Sequence, residues 1–133
     1  MRLAVLGARG QLGAAVVQEA STAHEVVAYD HQGLDVTDAA AVQSEIARLR
    51  PDVIVNCTGY NAVDLAEDRP VDALTLNAFA VRNLARAAEA AGAILVHYSS
   101  DFVFDGETDR PYTEEDRPNP RSAYAASKML GEW

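Results

Sequence analysis

Tyr124-Ala125-Ala126-Ser127-Lys128 sets a phenol and an ammonium four residues apart. On a helix that spacing puts both side chains on one face. A lysine so placed favours the phenolate and lowers the tyrosine pKa from its ordinary value of about 10. Tyr124 then becomes a usable proton donor to a carbonyl oxygen that is being reduced. Ser100, at the end of the apolar run Ala93-Ile94-Leu95-Val96-His97-Tyr98, could hydrogen-bond the same oxygen. Many surface helices carry Tyr and Lys at this spacing, so the pair needs a setting. A second group supplies one at the other end of the chain, where Gly7-Ala8-Arg9-Gly10-Gln11-Leu12-Gly13 repeats glycine every third residue.

That glycine stretch directly follows Arg2-Leu3-Ala4-Val5-Leu6, an apolar run suited to a strand buried on both faces of a parallel sheet. A helical pattern then runs from Gln11 to Ala20, with Leu12, Val16 and Val17 on one face. A strand turning sharply into a helix leaves backbone N–H groups, here those of Gln11 and Leu12, aimed at an anion such as a pyrophosphate. Gly7 suits the tight turn, Gly10 close approach of the phosphates, and Gly13 close helix–strand packing. The spacing is Gly-x-x-Gly-x-x-Gly rather than the Gly-x-Gly-x-x-Gly fingerprint. The alternative, a glycine turn without a ligand, is disfavoured by its placement after an N-terminal strand.

The intervening elements must bring the two ends together. Glu25-Val26-Val27-Ala28-Tyr29 reads as a second strand ending in Asp30, an acid able to accept hydrogen bonds from an adenosine ribose. Arg9, beside the phosphate turn, suits a 2′-phosphate that Asp30 would repel, which leaves NADH and NADPH both open. Asp35 is either an adenine contact or a capping-loop acid. A helix follows from about Asp38 to Leu49, with Asp38 or Thr37 as N-cap, and stops before Pro51. Val53-Ile54-Val55-Asn56 is the third strand, which completes a βαβαβ pattern. At its carboxyl end, Asn56-Cys57-Thr58-Gly59-Tyr60-Asn61 sits where ligands bind in open α/β sheets, and its small residues let the backbone pass close to a cofactor. Val63 to Asp68 begins a short helical piece broken by Pro70, and a long helix runs on to Ala91. Its stripe is Leu74, Ala78, Val81, Leu84, Ala85 and Ala88, its stop is Gly92, and Asn77 interrupts it, needing a partner if buried. The fourth strand leads to Ser99-Ser100-Asp101. Glu107 to Pro120 is a polar loop, and Ser122 to Trp133 is the helix of the Tyr-Lys pair.

Composition narrows the classes. The 133 residues, 49% hydrophobic, suit one domain, and no apolar run approaches a membrane span. A net charge of −9 with no basic cluster argues against nucleic acid and anionic membrane surfaces as partners. The single cysteine, Cys57, makes no intramolecular disulfide, fits a reducing cytoplasm, and reads as a small hydrophobe rather than a nucleophile. His24, His31 and His97 have no metal-ligand spacing, so no metal is expected. His97 reads as a packed or hydrogen-bonded residue.

Taken together, the glycine turn, Asn56 to Glu67, Ser99-Ser100-Asp101-Phe102-Val103-Phe104-Asp105-Gly106 and Tyr124 to Glu132 closely resemble the extended short-chain dehydrogenase/reductases over essentially the whole chain. The Ser-Asp-Phe-Val-Phe-Asp-Gly block is the most specific part. The resemblance implies a Rossmann-type doubly wound parallel sheet, with strands in the order third, second, first, fourth. It implies a triad of Ser100, Tyr124 and Lys128, with Lys128 also holding the nicotinamide ribose. It further implies NADPH or NADH as cofactor and a 4-keto nucleotide sugar as substrate, and it is compatible with a homodimer. The cofactor would lie against Gly7, Gly10, Gln11, Leu12, Gly13, Asp30, Asp35, Cys57, Thr58, Gly59, Tyr60, Tyr124 and Lys128.

Departures from the family concern Ala125, where relatives usually carry glycine, and Gly59 and Asn61, commonly alanine and threonine. They bear on the sugar more than on the chemistry. Family members continue past the catalytic helix, so residues 1–133 are expected to be an incomplete dinucleotide-binding domain whose substrate domain lies outside it. Alone, such a piece should bind dinucleotide weakly, turn over no sugar nucleotide, and leave its fourth strand as a bare edge. Two rivals stand beside the reductase. An epimerase or dehydratase of the same superfamily is one, although a dehydratase needs an acid/base pair and Phe102, not glutamate, follows Asp101. A non-catalytic dinucleotide-binding regulatory module is the other, and it has no need of a proton donor.

Overall fold

The apolar runs and helical patterns resolve, in a computed structural model describing all 133 residues, into four strands and six helices. In chain order they are β1 (Arg2–Leu6), α1 (Gln11–Ala20), β2 (Glu25–Tyr29), α2 (Ala39–Leu49), β3 (Val53–Asn56), α3 (Val63–Asp68), α4 (Pro70–Leu74), a π turn (Thr75–Phe79), α5 (Ala80–Ala91), β4 (Ile94–His97), a 3₁₀ turn (Asp101–Val103) and α6 (Ala123–Glu132). Local chemistry marks the ends. Asp38 caps α2 by accepting from the N–H groups of Ala40 and Ala41, and Gly92 ends α5 in the left-handed region at φ 69°. Pro70 opens α4, where its missing N–H costs nothing.

All pairings are parallel, and the strand order is β2-β1-β3-β4. This corrects the expected order of third, second, first, fourth: β3 crosses back over β1 instead of extending the sheet beyond β2. The physical reason lies in the strands themselves. β1 is buried from Leu3 to Leu6 and β3 from Ile54 to Asn56, so both need neighbours on each side, whereas β2 exposes Glu25 and Ala28 and tolerates an edge. Ala4 is thereby flanked by Val27 and Ile54, and Val55 by Val5 and Val96.

With right-handed crossovers, a chain that leaves β1 in one direction and returns in the other places α1 and α2 on opposite faces. The main core fills the α2 side: Ala4, Leu6 and Ile54 meet Val42, Ile46 and Leu49 of α2 and Ala80, Leu84, Ala87 and Ala88 of α5. The π turn shifts the register of this long helical segment by one residue. Ala73 faces inward before it, Asn77 and Ala78 within it, and Ala80, Val81, Leu84, Ala87 and Ala88 after it, while Ala85, expected on the stripe, faces out. At the β4 edge, Leu95 and His97 are half-buried, whereas Ile94 and Val96 on the other face are 65% and 37% exposed. No helix is long and apolar enough to cross a membrane.

Candidate active site

The reversal of chain direction falls between β1 and β3, and open α/β sheets bind ligands at the carboxyl ends of such a pair. Glycine is required there. Gly7 sits at φ 74°, and a Cβ on it would lie 2.9 Å from both the carbonyl carbon and oxygen of Cys57. A Cβ on Gly13 would collide with the Gly7 carbonyl oxygen, so α1 packs directly on the turn. Gly10 differs. Its backbone is extended as the N-cap of α1, and its absent side chain leaves room toward the open crevice. The N–H groups of Gln11 and Leu12 have no protein partner and crown the start of α1.

Two hollows meet over this turn. The first, of about 540 Å³, is lined by Gly7, Gly10, Asp30, Leu34, Asp35, Cys57, Thr58, Gly59, Tyr60 and Leu76, among others. The second, of about 410 Å³, is lined by Gly10, Gln11, Leu12, Asn56, Cys57, Thr58, Asn61, Tyr98, Ser99, Tyr124 and Lys128. Gly10, Cys57, Thr58 and Asn61 belong to both. The glycine turn and the Tyr-Lys pair, 111 residues apart from Gly13 to Tyr124, therefore flank one continuous crevice. Gly13 lines neither hollow, in keeping with its packing role. Ser100 is the exception among the three residues of the expected triad. It lines an adjoining hollow with Ser99, Asp101 and Glu132, and its Oγ accepts from the Phe102 N–H at 3.2 Å to start the 3₁₀ turn.

At the end of β2, Asp30 Oδ1 accepts from the N–H groups of Gln32 and Gly33 at 3.1 and 2.9 Å, while Oδ2 pairs with Arg9 Nε at 3.0 Å. The Gly33 N–H, helped by the Arg9 charge, holds the carboxyl below its ordinary range. One oxygen is thus tied to its own turn and the other is shared with a guanidinium that is itself four-fifths exposed. Asp35 Oδ1 accepts from both the N–H and the hydroxyl of Thr37, which lower its pKa and make it a capping-loop acid that also lines the cleft. Burial pushes the half-exposed Cys57 thiol up, as befits a packing residue rather than a nucleophile.

At the other end, Lys128 is buried and Nζ donates to the carbonyl oxygen of Tyr98 at 2.6 Å. Burial lowers its pKa, with Glu132 acting in the opposite sense. An ammonium has three donors, so two remain for other partners. Tyr124 is buried against Ala66 and Ala73, with the ring of Phe102 edge-on at 5.9 Å between centroids. Ser127 Oγ donates to the Tyr124 carbonyl and accepts from Asn77 Nδ2. Asn56 Oδ1 accepts from the Thr58 N–H and hydroxyl, so its Nδ2 donates to His97 Nδ1 at 3.1 Å. Burial, then the Lys128 charge, pushes the His97 pKa down to about 4, and the ring is neutral. His97 is a packed, hydrogen-bonded histidine. Asn77 is a part of the site that residue types and spacing did not single out as such, and Asn56, read only within the stretch that passes the cofactor, ties it to β4 through His97. A polar residue on an otherwise apolar stripe, and another closing a buried strand, were the available signals.

No group of three or more His, Cys, Asp or Glu residues is placed to hold a metal ion. A family model described as the RmlD substrate binding domain matches residues 1–133. The dTDP-4-dehydrorhamnose reductase of Sinorhizobium fredii is 41% identical over 133 residues, covering all of this chain and 45% of that protein. A crystal structure of a dTDP-4-dehydrorhamnose reductase from Clostridium acetobutylicum superposes with a TM-score of 0.96 at 41% identity, over 99% of this chain and 48% of that one. The Bacillus anthracis dTDP-4-dehydrorhamnose reductase, solved in complex with NADP, gives a TM-score of 0.96 at 37% identity, over 98% and 47% of the two chains. The chain spans about half the length of the curated relatives it matches.

Proposed function

The chain belongs to the RmlD substrate binding domain family, and on that premise we propose that it is the dinucleotide-binding part of an NAD(P)H-dependent reductase of a 4-keto nucleotide sugar, dTDP-4-dehydrorhamnose. The observation that carries the reading is the shared crevice. Tyr124 and Lys128 line it together with Gly10, Gln11 and Leu12. The residues fit a dinucleotide: a cradle that side chains at Gly7 would fill, free N–H groups at the start of a helix, and an acid at the end of β2. Gly7, Gly10, Gln11 and Leu12 would hold the pyrophosphate, and Asp30 with Arg9 the adenosine ribose. Cys57 to Tyr60 would pass along the cofactor, and Lys128 would take the nicotinamide ribose. When bound, the nicotinamide supplies the hydride.

The chain's own residues then supply the proton and its setting. Tyr124 gives its phenolic proton to the keto oxygen, and Lys128, anchored to Tyr98, keeps its two remaining donors for the ribose and the phenolate left behind. Ser100, in the adjoining hollow that shares Ser99 with the crevice, would orient the same keto oxygen from the side of the 3₁₀ turn. The residues that grip the sugar nucleotide lie outside residues 1–133, as the share of the relatives covered supports. Titrating the protein with NADPH and NADH, followed by a reductase assay on dTDP-4-dehydrorhamnose, tests the reading. Absence of dinucleotide binding, or of NAD(P)H oxidation by the full-length protein, overturns it.

A further inference from the structure

The first turn of α6 is capped from two directions. Ser122 Oγ accepts from the Ala125 N–H at 3.1 Å, a local cap. The Ala123 N–H, one residue before Tyr124, is taken by a side chain from a different part of the fold: Glu67 Oε1 accepts it at 2.7 Å. Glu67 is the penultimate residue of α3, and its neighbour Ala66 is fully buried against Ala73 and Tyr124. Two successive residues of α3 thus meet α6 at its start, one by packing and one by hydrogen bond. A carboxylate on a backbone N–H at a helix start is charge-assisted and aligned favourably with the helix dipole.

The other side-chain ties from the rest of the fold to α6 act beyond Tyr124: Asn77 on Ser127, the Tyr98 carbonyl on Lys128, and Ser99 on Glu132. Without a tie before it, Tyr124 stands in the first turn of a ten-residue helix, the part that frays first and that is marginal in water by itself. Misplacing a reacting group by about 1 Å costs up to about 10²-fold in rate.

We infer that Glu67 is a positioning residue for Tyr124, holding the first turn of α6 in place through the Ala123 N–H without touching substrate or cofactor. The inference rests on the reading of Tyr124 as proton donor. What it requires of Glu67 is an acceptor oxygen at that reach, not a charge. Glu67→Gln keeps the acceptor, whereas Glu67→Ala removes it. Glu67 lies outside the cofactor crevice, so neither variant should alter dinucleotide binding.

In the full-length protein, Glu67→Ala should lower kcat about tenfold with KM for the sugar nucleotide and Kd for NADPH within about twofold of wild type. Glu67→Gln should recover kcat to within about threefold, with an unchanged pH profile. Amide hydrogen exchange at Ala123 and Tyr124 should be faster in Glu67→Ala and close to wild type in Glu67→Gln. Wild-type kcat in Glu67→Ala, equal losses in the two variants, or a matching loss of NADPH affinity overturns the inference. Exchange at Ala123 reads the cap independently of the reaction. If the wild type fails to reduce the sugar, the functional reading falls, while unaltered Ala123 exchange in Glu67→Ala sinks the positioning inference by itself.

Discussion

Asn77 and Ser127, fifty residues apart, meet in a buried hydrogen bond, Asn77 Nδ2 donating to Ser127 Oγ at 2.9 Å. The same amide brackets the backbone of Tyr60, accepting from its N–H at 2.8 Å and donating to its carbonyl at 3.0 Å. One side chain, 1% exposed and set in the π turn, therefore joins the loop after β3 to the helix of Tyr124 and Lys128. The Tyr60 side and the Tyr124–Lys128 side of the crevice are held in register by an amide.

Asn77→Leu should be among the most damaging single changes in the chain. It would leave the Tyr60 N–H and carbonyl without their partner and remove one of the two bonds on Ser127 Oγ. We expect a loss of about 2–4 kcal/mol in denaturant unfolding, from buried groups left unsatisfied. A loss below about 0.5 kcal/mol would mean that water or a shifted neighbour replaces the amide.

Gly10 and Gly13 should separate binding from folding. Gly13→Ala drives a methyl into the Gly7 carbonyl, so its main effect should be loss of thermal stability. Gly10→Val has only the Gly7 oxygen within 4 Å of its Cβ, at 3.3 Å, and places its branches where phosphates would approach. It should stay folded and lose dinucleotide binding. Calorimetry and fluorescence titration with NADPH on both variants would show this, and equal dinucleotide affinity in Gly10→Val and wild type would reject the crevice as the pyrophosphate site.

Tyr124→Phe keeps the ring packed against Ala66, Ala73 and Phe102 and removes only the hydroxyl. In the full-length enzyme, turnover should fall by about 10²-fold or more, with cofactor affinity near normal. Lys128→Ala should damage both, because it leaves the Tyr98 carbonyl unpaired and removes the donors assigned to the ribose. Wild-type turnover in Tyr124→Phe would mean that the proton comes from elsewhere.

The loop from Glu107 to Pro120 should loosen in acid. Asp105 accepts from Asn119, the Glu107 N–H and the Tyr112 hydroxyl, and these bonds, Asn119 foremost, lower its pKa from 3.8 to about 2. The folded-state value lies below the unfolded one, so this contribution is fully present above about pH 4 and is lost as the pH falls through about 2. The Asn119 side-chain and Glu107 amide resonances should titrate together with a midpoint near pH 2. A midpoint near 4 would show that Asp105 is not held by these donors.

Much was legible in the residues because it is local. The boundaries of α1, β2 and β3 follow from periodicity and from the glycines and prolines beside them, and Asp38 as a cap follows from three neighbouring residues. The glycine turn and the Tyr-Lys spacing carry their own chemistry. What only the tertiary structure decided is which distant groups meet. The strand order β2-β1-β3-β4 depends on which edge of β1 is left for β3, a competition among burial demands that no window of the sequence contains. The π turn changes the inward face of the helical segment from Pro70 to Ala91 because Asn77 must reach both Tyr60 and Ser127. Ser100 lies in an adjoining hollow, and not with Tyr124 and Lys128, because its hydroxyl starts a 3₁₀ turn. Glu67 lies in a stretch read only as a short helical piece, and becomes a cap on Ala123 only when α3 packs against α6. Backbone propensity acts over a few residues, whereas a buried donor takes whichever acceptor the packed chain brings within about 3 Å of it.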